Sequence, residues 1–138
     1  MHEYTSTVRV WGLICPGFLE EVSRARRWTR DVLRDSPLVD DAVLIVSELS
    51  ANAILHTASG RQSGTFHLAL AVSPLAVAVS VIDEGGSLTT PHPKPPSGNA
   101  VHGRGLRMVS ALAHRVHVRS EDGSHTVTAE LLAGVGRC

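Results

Sequence analysis

The hydrophobic positions of this 138-residue chain follow two periods, and each period predicts one type of element. Helical spacing of apolar residues predicts three helices, at roughly residues 18–35, 41–57 and 103–113. Alternation of apolar with smaller or polar residues predicts five strands, at roughly residues 4–14, 66–72, 75–83, 115–119 and 125–133. A stretch of about residues 84–102, rich in Gly, Pro, Ser and Thr, is long enough to be expected as a functional lid.

The predicted order of elements is β-α-α-β-β-α-β-β within a single domain, residues 1–138. Closely spaced strands, with a turn at Ser73-Pro74, predict hairpins and therefore antiparallel pairing. The expected fold class is an α/β two-layer sandwich, with a mixed, mostly antiparallel sheet and helices on one face. Alternation along the third strand places Asp83 on the same face as Val79 and Val81.

The second helix carries two distinct faces. Its core face is predicted to consist of Ala42, Ile45, Val46, Leu49 and Ala53. Glu48, Asn52 and His56 recur every four residues and form a polar stripe that flanks this core face. We expect the stripe to lie at the rim of the core, where its side chains are partly dry. A surface helix with incidental polar residues explains the stripe equally well when the helix is considered alone.

Composition narrows the class of protein. The chain has 13 basic and 13 acidic side chains, so it lacks the basic excess of a direct nucleic-acid binder. No apolar run approaches the ~18 residues of a membrane span, and no signal-peptide pattern is present. The two cysteines, Cys15 and Cys138, form no framework or zinc motif, which favours a cytoplasmic location. The eight histidines share no metal-ligand spacing.

Two glycine-containing segments follow the helices. The first is Asp83-Glu84-Gly85-Gly86 at a strand end, where a plain turn is the simpler interpretation and a site for a ligand amine is the alternative. The second is His102-Gly103-Arg104-Gly105-Leu106, which opens the third helix and would expose backbone N–H groups beside a cation. Taken with Asn52, these segments provide what a magnesium nucleotide requires: an acid for the base, a phosphate cradle and a hard oxygen ligand.

The ordered motifs resemble those of a known superfamily. The patterns are Glu-Leu-x-x-Asn-Ala-x-x-x-His, Asp-x-Gly-Gly and Gly-Arg-Gly-Leu-x-x-Val. They look like the GHKL (histidine kinase-like) ATPase superfamily of gyrase, histidine kinases and MutL. The short chain and its Arg-Gly-Leu-Arg-Met-Val segment are similar to anti-sigma factor serine/threonine kinases of the RsbW and SpoIIAB type. The resemblance covers nearly the whole chain and implies a Bergerat-type ATP-binding fold.

The resemblance implies roles for residues at matched positions. Asn52 would ligate Mg²⁺, and Glu48 would be the catalytic general base or would orient the nucleophile. Asp83 would accept a hydrogen bond from the adenine amine of ATP, with Gly85 and Gly86 next to the base.

The remaining implied contacts come from the third helix and the last strand. The residues that would border the phosphates are Gly103, Arg104, Gly105 and Leu106. Thr126 would lie near Asp83 on the adenine side. For His56, a catalytic role and a packing role are left open.

Two functions are compatible with these features. In the first, the chain is an ATP-dependent serine/threonine kinase that phosphorylates an anti-sigma factor antagonist and switches partners with a sigma factor. In the second, it is a non-catalytic ATP-binding module that acts by protein contact only. Retention of Glu48 favours the kinase, because binding alone requires only Asn52, Asp83 and the glycines. A metal hydrolase built from histidine and Glu48 would need a second close ligand, which the sequence does not offer. A homodimer is left open.

Overall fold

A five-stranded sheet forms one layer of the fold in the computed structural model, which describes residues 8–56, 64–84, 107–121 and 123–134. The strands are β1 (Arg9–Pro16), β2 (Thr65–Ser73), β3 (Ala76–Asp83), β4 (Arg115–Glu121) and β5 (Ser124–Leu132). The helices are α1 (Glu20–Val32), α2 (Val39–His56) and α3, of which residues 107–112 are described. None of the helices in these ranges is both long and apolar enough to cross a bilayer.

The sheet has the strand order β1-β2-β3-β5-β4, and all four of these pairings are antiparallel. The predicted fold class is therefore confirmed, with α1 and α2 packed together and α2 packed on β3. Because β5 returns between β3 and β4, the described edges of the sheet are β1 and β4.

The core lies between the helices and the inner face of the sheet. The predicted core face of α2 is confirmed, since Ala42, Ile45, Val46, Leu49 and Ala53 are all buried. Alternate residues of β2 and β3 meet it, among them Leu68, Leu70, Val77, Val79 and Val81. Burial of each of the larger side chains stabilises the fold by about 1.5–3 kcal/mol.

The chain direction gives the sheet two distinct ends. We call the end where β3 finishes the Asp83 end, and the end at the β2–β3 turn the hairpin end. Helix α1 runs back toward the hairpin end, where Ser36 and Pro37 line the same cleft as Arg9 and Ser73. Helix α2 starts there, so its second half runs toward the Asp83 end.

Both long helices begin at other residues than predicted. Helix α2 begins at Val39, two residues before its predicted start, so Asp40 lies inside the first turn and not at the N-cap. Instead, the Asp40 carboxylate accepts a hydrogen bond from Arg30 at 3.2 Å. Helix α1 begins at Glu20, two residues after its predicted start, and Phe18 is exposed. The predicted lid lies almost wholly outside the described residues.

Candidate functional site

Asp83 is a buried carboxylate at the end of an apolar strand. Val77, Val79, Val81 and Asp83 alternate on the inner face of β3, as predicted, and Asp83 is only 8% exposed. Its Oδ1 accepts a hydrogen bond from the backbone N–H of His125 at 3.3 Å. Burial of a carboxylate is costly unless hydrogen bonds compensate for lost hydration. The fold therefore holds a strong acceptor, partly dry, at this end of the sheet.

Glu84 fixes the backbone beside Asp83. Its Oε2 accepts hydrogen bonds from the Thr65 N–H at 3.1 Å and from the Thr65 hydroxyl at 3.0 Å. These bonds tie the end of β3 to the start of β2 and so restrain the direction in which Asp83 projects. The sequence offered no role for Glu84, because the strand register that brings it to Thr65 is not visible in a single chain.

The polar stripe of α2 occupies the rim of the core. Glu48 and Asn52 are half-buried, whereas His56 is exposed. The Asn52 Nδ2 atom is buried and has no hydrogen-bond partner within the described part of the chain. An unpaired buried polar group of this kind costs about 1–3 kcal/mol. The amide nitrogen of Asn52 is thus left for a partner outside the described chain, and the oxygen of the same carboxamide is of the kind that Mg²⁺ prefers.

Topology brings the stripe and Asp83 to the same region of the molecule. Helix α2 packs on β3, and the second half of α2 runs toward the end at which β3 finishes. Asp83 and the polar stripe that contains Glu48 and Asn52 therefore lie on two elements that pack together. Their direct approach to one another in a shared site stays a prediction.

The strand register corrects one predicted position. β3 and β5 pair with Asp83 opposite His125 and Ile82 opposite Thr126. Residues directly opposite each other share a face of the sheet, so Thr126 projects from the face opposite to Asp83. Thr126 is therefore displaced by one residue from the position beside Asp83, and His125 occupies that position.

His125 was missed in the sequence because its role depends on this register. Its backbone contacts Asp83, and its ring Nδ1 lies 2.7 Å from the Ser120 hydroxyl on β4. Asp83, His125 and Ser120 thus form a row across β3, β5 and β4 on one face. This row extends the polar surface of the Asp83 end toward the β4 edge.

The remaining predicted site residues lie outside the described residues. They are Gly85, Gly86, Gly103, Arg104, Gly105 and Leu106. Their proposed positions beside the base and the phosphates stay predictions. Within the described ranges, no three His, Cys, Asp or Glu side chains are grouped so that they could hold a metal ion.

A separate hollow lies at the hairpin end. This open cleft of about 800 Å³ is lined by Trp11, Trp28, Leu33 and the β2–β3 turn. Neither Asp83 nor the polar stripe of α2 contributes to it. Its size does not make it the functional site, because it lacks buried polar groups that would orient a nucleotide.

Comparison with known families identifies the domain. A family model of the histidine kinase-like ATPase domain matches residues 16–131. The chain belongs to the histidine kinase-like ATPase domain family. The match includes both long helices and spans Glu48, Asn52 and Asp83. Comparison with curated proteins finds no match.

One solved structure supports the fold of this histidine kinase-like domain. The crystal structure of the RsbU and RsbW domains of Rv1364c from Mycobacterium tuberculosis aligns with a TM-score of 0.66 and 21% sequence identity. The alignment covers 90% of this chain but only 32% of the other. At this identity the likeness establishes a shared fold and nothing about activity.

Proposed function

We propose that this domain binds ATP with Mg²⁺ at the Asp83 end and acts as a cytoplasmic serine/threonine protein kinase. Its substrate would be an anti-sigma factor antagonist, and it would exchange that partner for a sigma factor. Direct nucleic-acid binding and membrane association are not part of the proposal. Membership of the histidine kinase-like ATPase family supports the choice of ATP.

The observation that carries the proposal is the buried Asp83 carboxylate at the same end as the unpaired Asn52 amide. A carboxylate in a partly dry site accepts well from the exocyclic amine of adenine and is poorly matched to the carbonyl of guanine. The Asn52 carboxamide supplies an oxygen ligand of the kind that Mg²⁺ prefers. Bound Mg²⁺ and ATP would supply the phosphoryl group to be transferred and neutralise its charge.

Glu48 is the residue that would make the site catalytic. It lies one helical turn before Asn52 and is half-buried on the same stripe. From there its carboxylate can take or orient the proton of an incoming serine or threonine hydroxyl. Proton removal by a positioned base typically contributes ~10²–10⁴-fold to rate.

The alternative is a regulatory module that binds ATP and acts by contact alone. Such a module would require Asp83 and Asn52 but not a base. The half-buried carboxylate of Glu48 at the rim of the core favours the kinase, since holding a carboxylate there brings no benefit to binding alone.

Phosphoryl transfer can be tested with labelled ATP and candidate antagonist proteins from the same genome, followed by mapping of the modified residue. The kinase proposal expects label on a serine or threonine of one candidate, at a rate that Glu48→Gln abolishes. Leu55→Gln, an exposed position on the same helix, is the matched control and should transfer at the wild-type rate. Partner exchange that responds to ATP without any transfer would establish the alternative.

A further inference from the structure

The open cleft at the hairpin end contains both tryptophans of the chain. Trp11 projects from the inner face of β1, since it pairs with the buried Leu70, and it is 43% exposed. Trp28 lies on α1 and is half-buried against the core. One aromatic ring therefore comes from each of the two elements that border a cleft of about 800 Å³. A concave, aromatic-lined surface of this size is typical of binding sites.

The polar side chains of the cleft are of two kinds. Both serine hydroxyls already have a partner, because Ser36 Oγ accepts a hydrogen bond from the Leu38 N–H at 3.0 Å and Ser73 Oγ donates to the Ala76 carbonyl at 3.3 Å. The other polar side chains are exposed charges at the rim, namely Arg9, Asp31, Arg34 and Asp35. None of these four forms an ion pair within the described ranges. The side chains of the cleft thus leave little hydrogen-bonding capacity for the N–H groups of an ordinary peptide.

We propose that this cleft binds a proline-rich segment of a partner protein in the polyproline II conformation. Proline has no backbone N–H, so a proline-rich segment leaves few unpaired donors when it packs against apolar walls. Polyproline II forms before binding, which lowers the entropy lost on association, and such segments dock in grooves lined by aromatic side chains. The proline rings of the segment would lie against Trp11 and Trp28.

The charges at the rim favour a basic residue within that segment. Asp31 follows Trp28 by about one turn of α1, so the two side chains lie on the same flank of the helix. Asp35 lines the cleft just beyond the end of α1. A lysine or arginine between the prolines would pair with these two carboxylates. Arg9, which lines the cleft from β1, would repel a basic residue on the β1 side, so the charges also restrict the direction of the segment.

Intrinsic fluorescence reports occupancy of the cleft directly, because both tryptophans of the chain line it. The probe is the synthetic peptide acetyl-Pro-Pro-Pro-Lys-Pro-Pro-Pro-amide, titrated at low ionic strength, where exposed charges are screened least. We expect a saturable change in tryptophan emission. A Gly-Ser peptide of the same length with the same central lysine should bind about tenfold more weakly or less, since it has no preformed conformation.

Two variants test the aromatic contact and the charge contact separately. Trp11→Ala should weaken binding of the probe about tenfold, as loss of an aromatic anchor does at interfaces, while Trp28 remains as the reporter. Val10→Ala is the matched control and should bind as wild type, because Val10 is exposed on the same strand but projects from the opposite face. Asp31→Lys should reverse a preference of about twofold or more for the central lysine, so that a peptide with central glutamate binds more tightly.

Unaltered circular dichroism will establish that each variant is folded, and Asp31→Lys, at an exposed position, keeps the test valid if Trp11→Ala does not fold. The proposal is overturned if millimolar probe produces no saturable change, or if the Gly-Ser peptide binds as tightly as the probe. Equal losses in Trp11→Ala and Val10→Ala, or an unchanged preference for lysine in Asp31→Lys, would also overturn it. The titrations contain no nucleotide, so their failure would leave the proposed kinase function untouched.

Discussion

The two ends of the sheet differ in how far their polar groups are buried. The hairpin end has an open cleft and both tryptophans of the chain, yet its charged residues Arg9, Asp31, Arg34 and Asp35 are all exposed. The Asp83 end has a buried carboxylate and a buried amide nitrogen that lacks a partner in the described chain. Buried polar groups reduce stability unless hydrogen bonds or a ligand compensate for them, so they indicate function more reliably than the size of a cleft does.

The largest expected effect is that of replacing Glu48, the proposed general base. Glu48→Gln retains the shape of the side chain and removes its charge, so phosphoryl transfer should fall by ~10²–10⁴-fold while ATP affinity stays nearly unchanged. Single-turnover transfer and equilibrium binding measured on the same preparation separate the two quantities. Transfer at the wild-type rate would remove Glu48 from its proposed role without removing ATP binding.

The second effect contrasts one acidic residue from each end. Asp83→Asn should weaken ATP binding by about tenfold or more, because an ill-matched group in a partly dry site costs ~1–3 kcal/mol. Asp31→Asn, at the exposed rim of the hairpin-end cleft, should leave ATP affinity unchanged. Calorimetric titration of both variants makes the comparison. Equal losses of ATP affinity in the two variants would show that Asp83 has no specific role in ATP binding.

The third effect concerns magnesium. Asn52→Ala should fold with unimpaired stability, because the substitution removes a buried unpaired group, but the gain in ATP affinity on adding Mg²⁺ should largely disappear. Thermal unfolding and titrations with and without Mg²⁺ measure the two properties. If Mg²⁺ strengthens ATP binding equally in variant and wild type, Asn52 is not a ligand.

The smallest expected effect is that of replacing Ser50, a buried polar residue of the core, in contrast to Asn52 at the rim of the core. Ser50 is fully buried on α2, and its hydroxyl also has no partner within the described residues. Ser50→Ala should raise the free energy of unfolding by about 1 kcal/mol and leave nucleotide affinity unchanged. Denaturant titration gives the stability change. A loss of ATP affinity in this variant would show that the nucleotide site extends into the core.

The sequence correctly predicted those faces of α2 and β3 on which the hydrophobic period matches the observed burial. Alternation along β3 correctly placed Asp83 with the buried valines, and helical spacing correctly separated the core face of α2 from its polar stripe. Both results follow from local geometry, because a period of 2 or 3.6 residues fixes which side chains share a face.

Positions that depend on pairing between distant strands could not be obtained in this way. Thr126 was assigned beside Asp83, whereas the register of β3 and β5 gives that position to His125. A shift of one residue exchanges the faces of a strand, and the alternation of β5 alone does not reveal its partner residues. The bonds between Glu84 and Thr65 and the exposed edge of β1 were missed for the same reason.

Calorimetric titration of the wild-type domain with ATP and with GTP, each in the presence of Mg²⁺, tests most directly whether the Asp83 end is an adenine nucleotide site. We expect ATP to bind at least about tenfold more tightly than GTP, because only adenine presents an amine to the Asp83 carboxylate. Equal affinity for the two nucleotides, or no binding of ATP, would contradict the assignment.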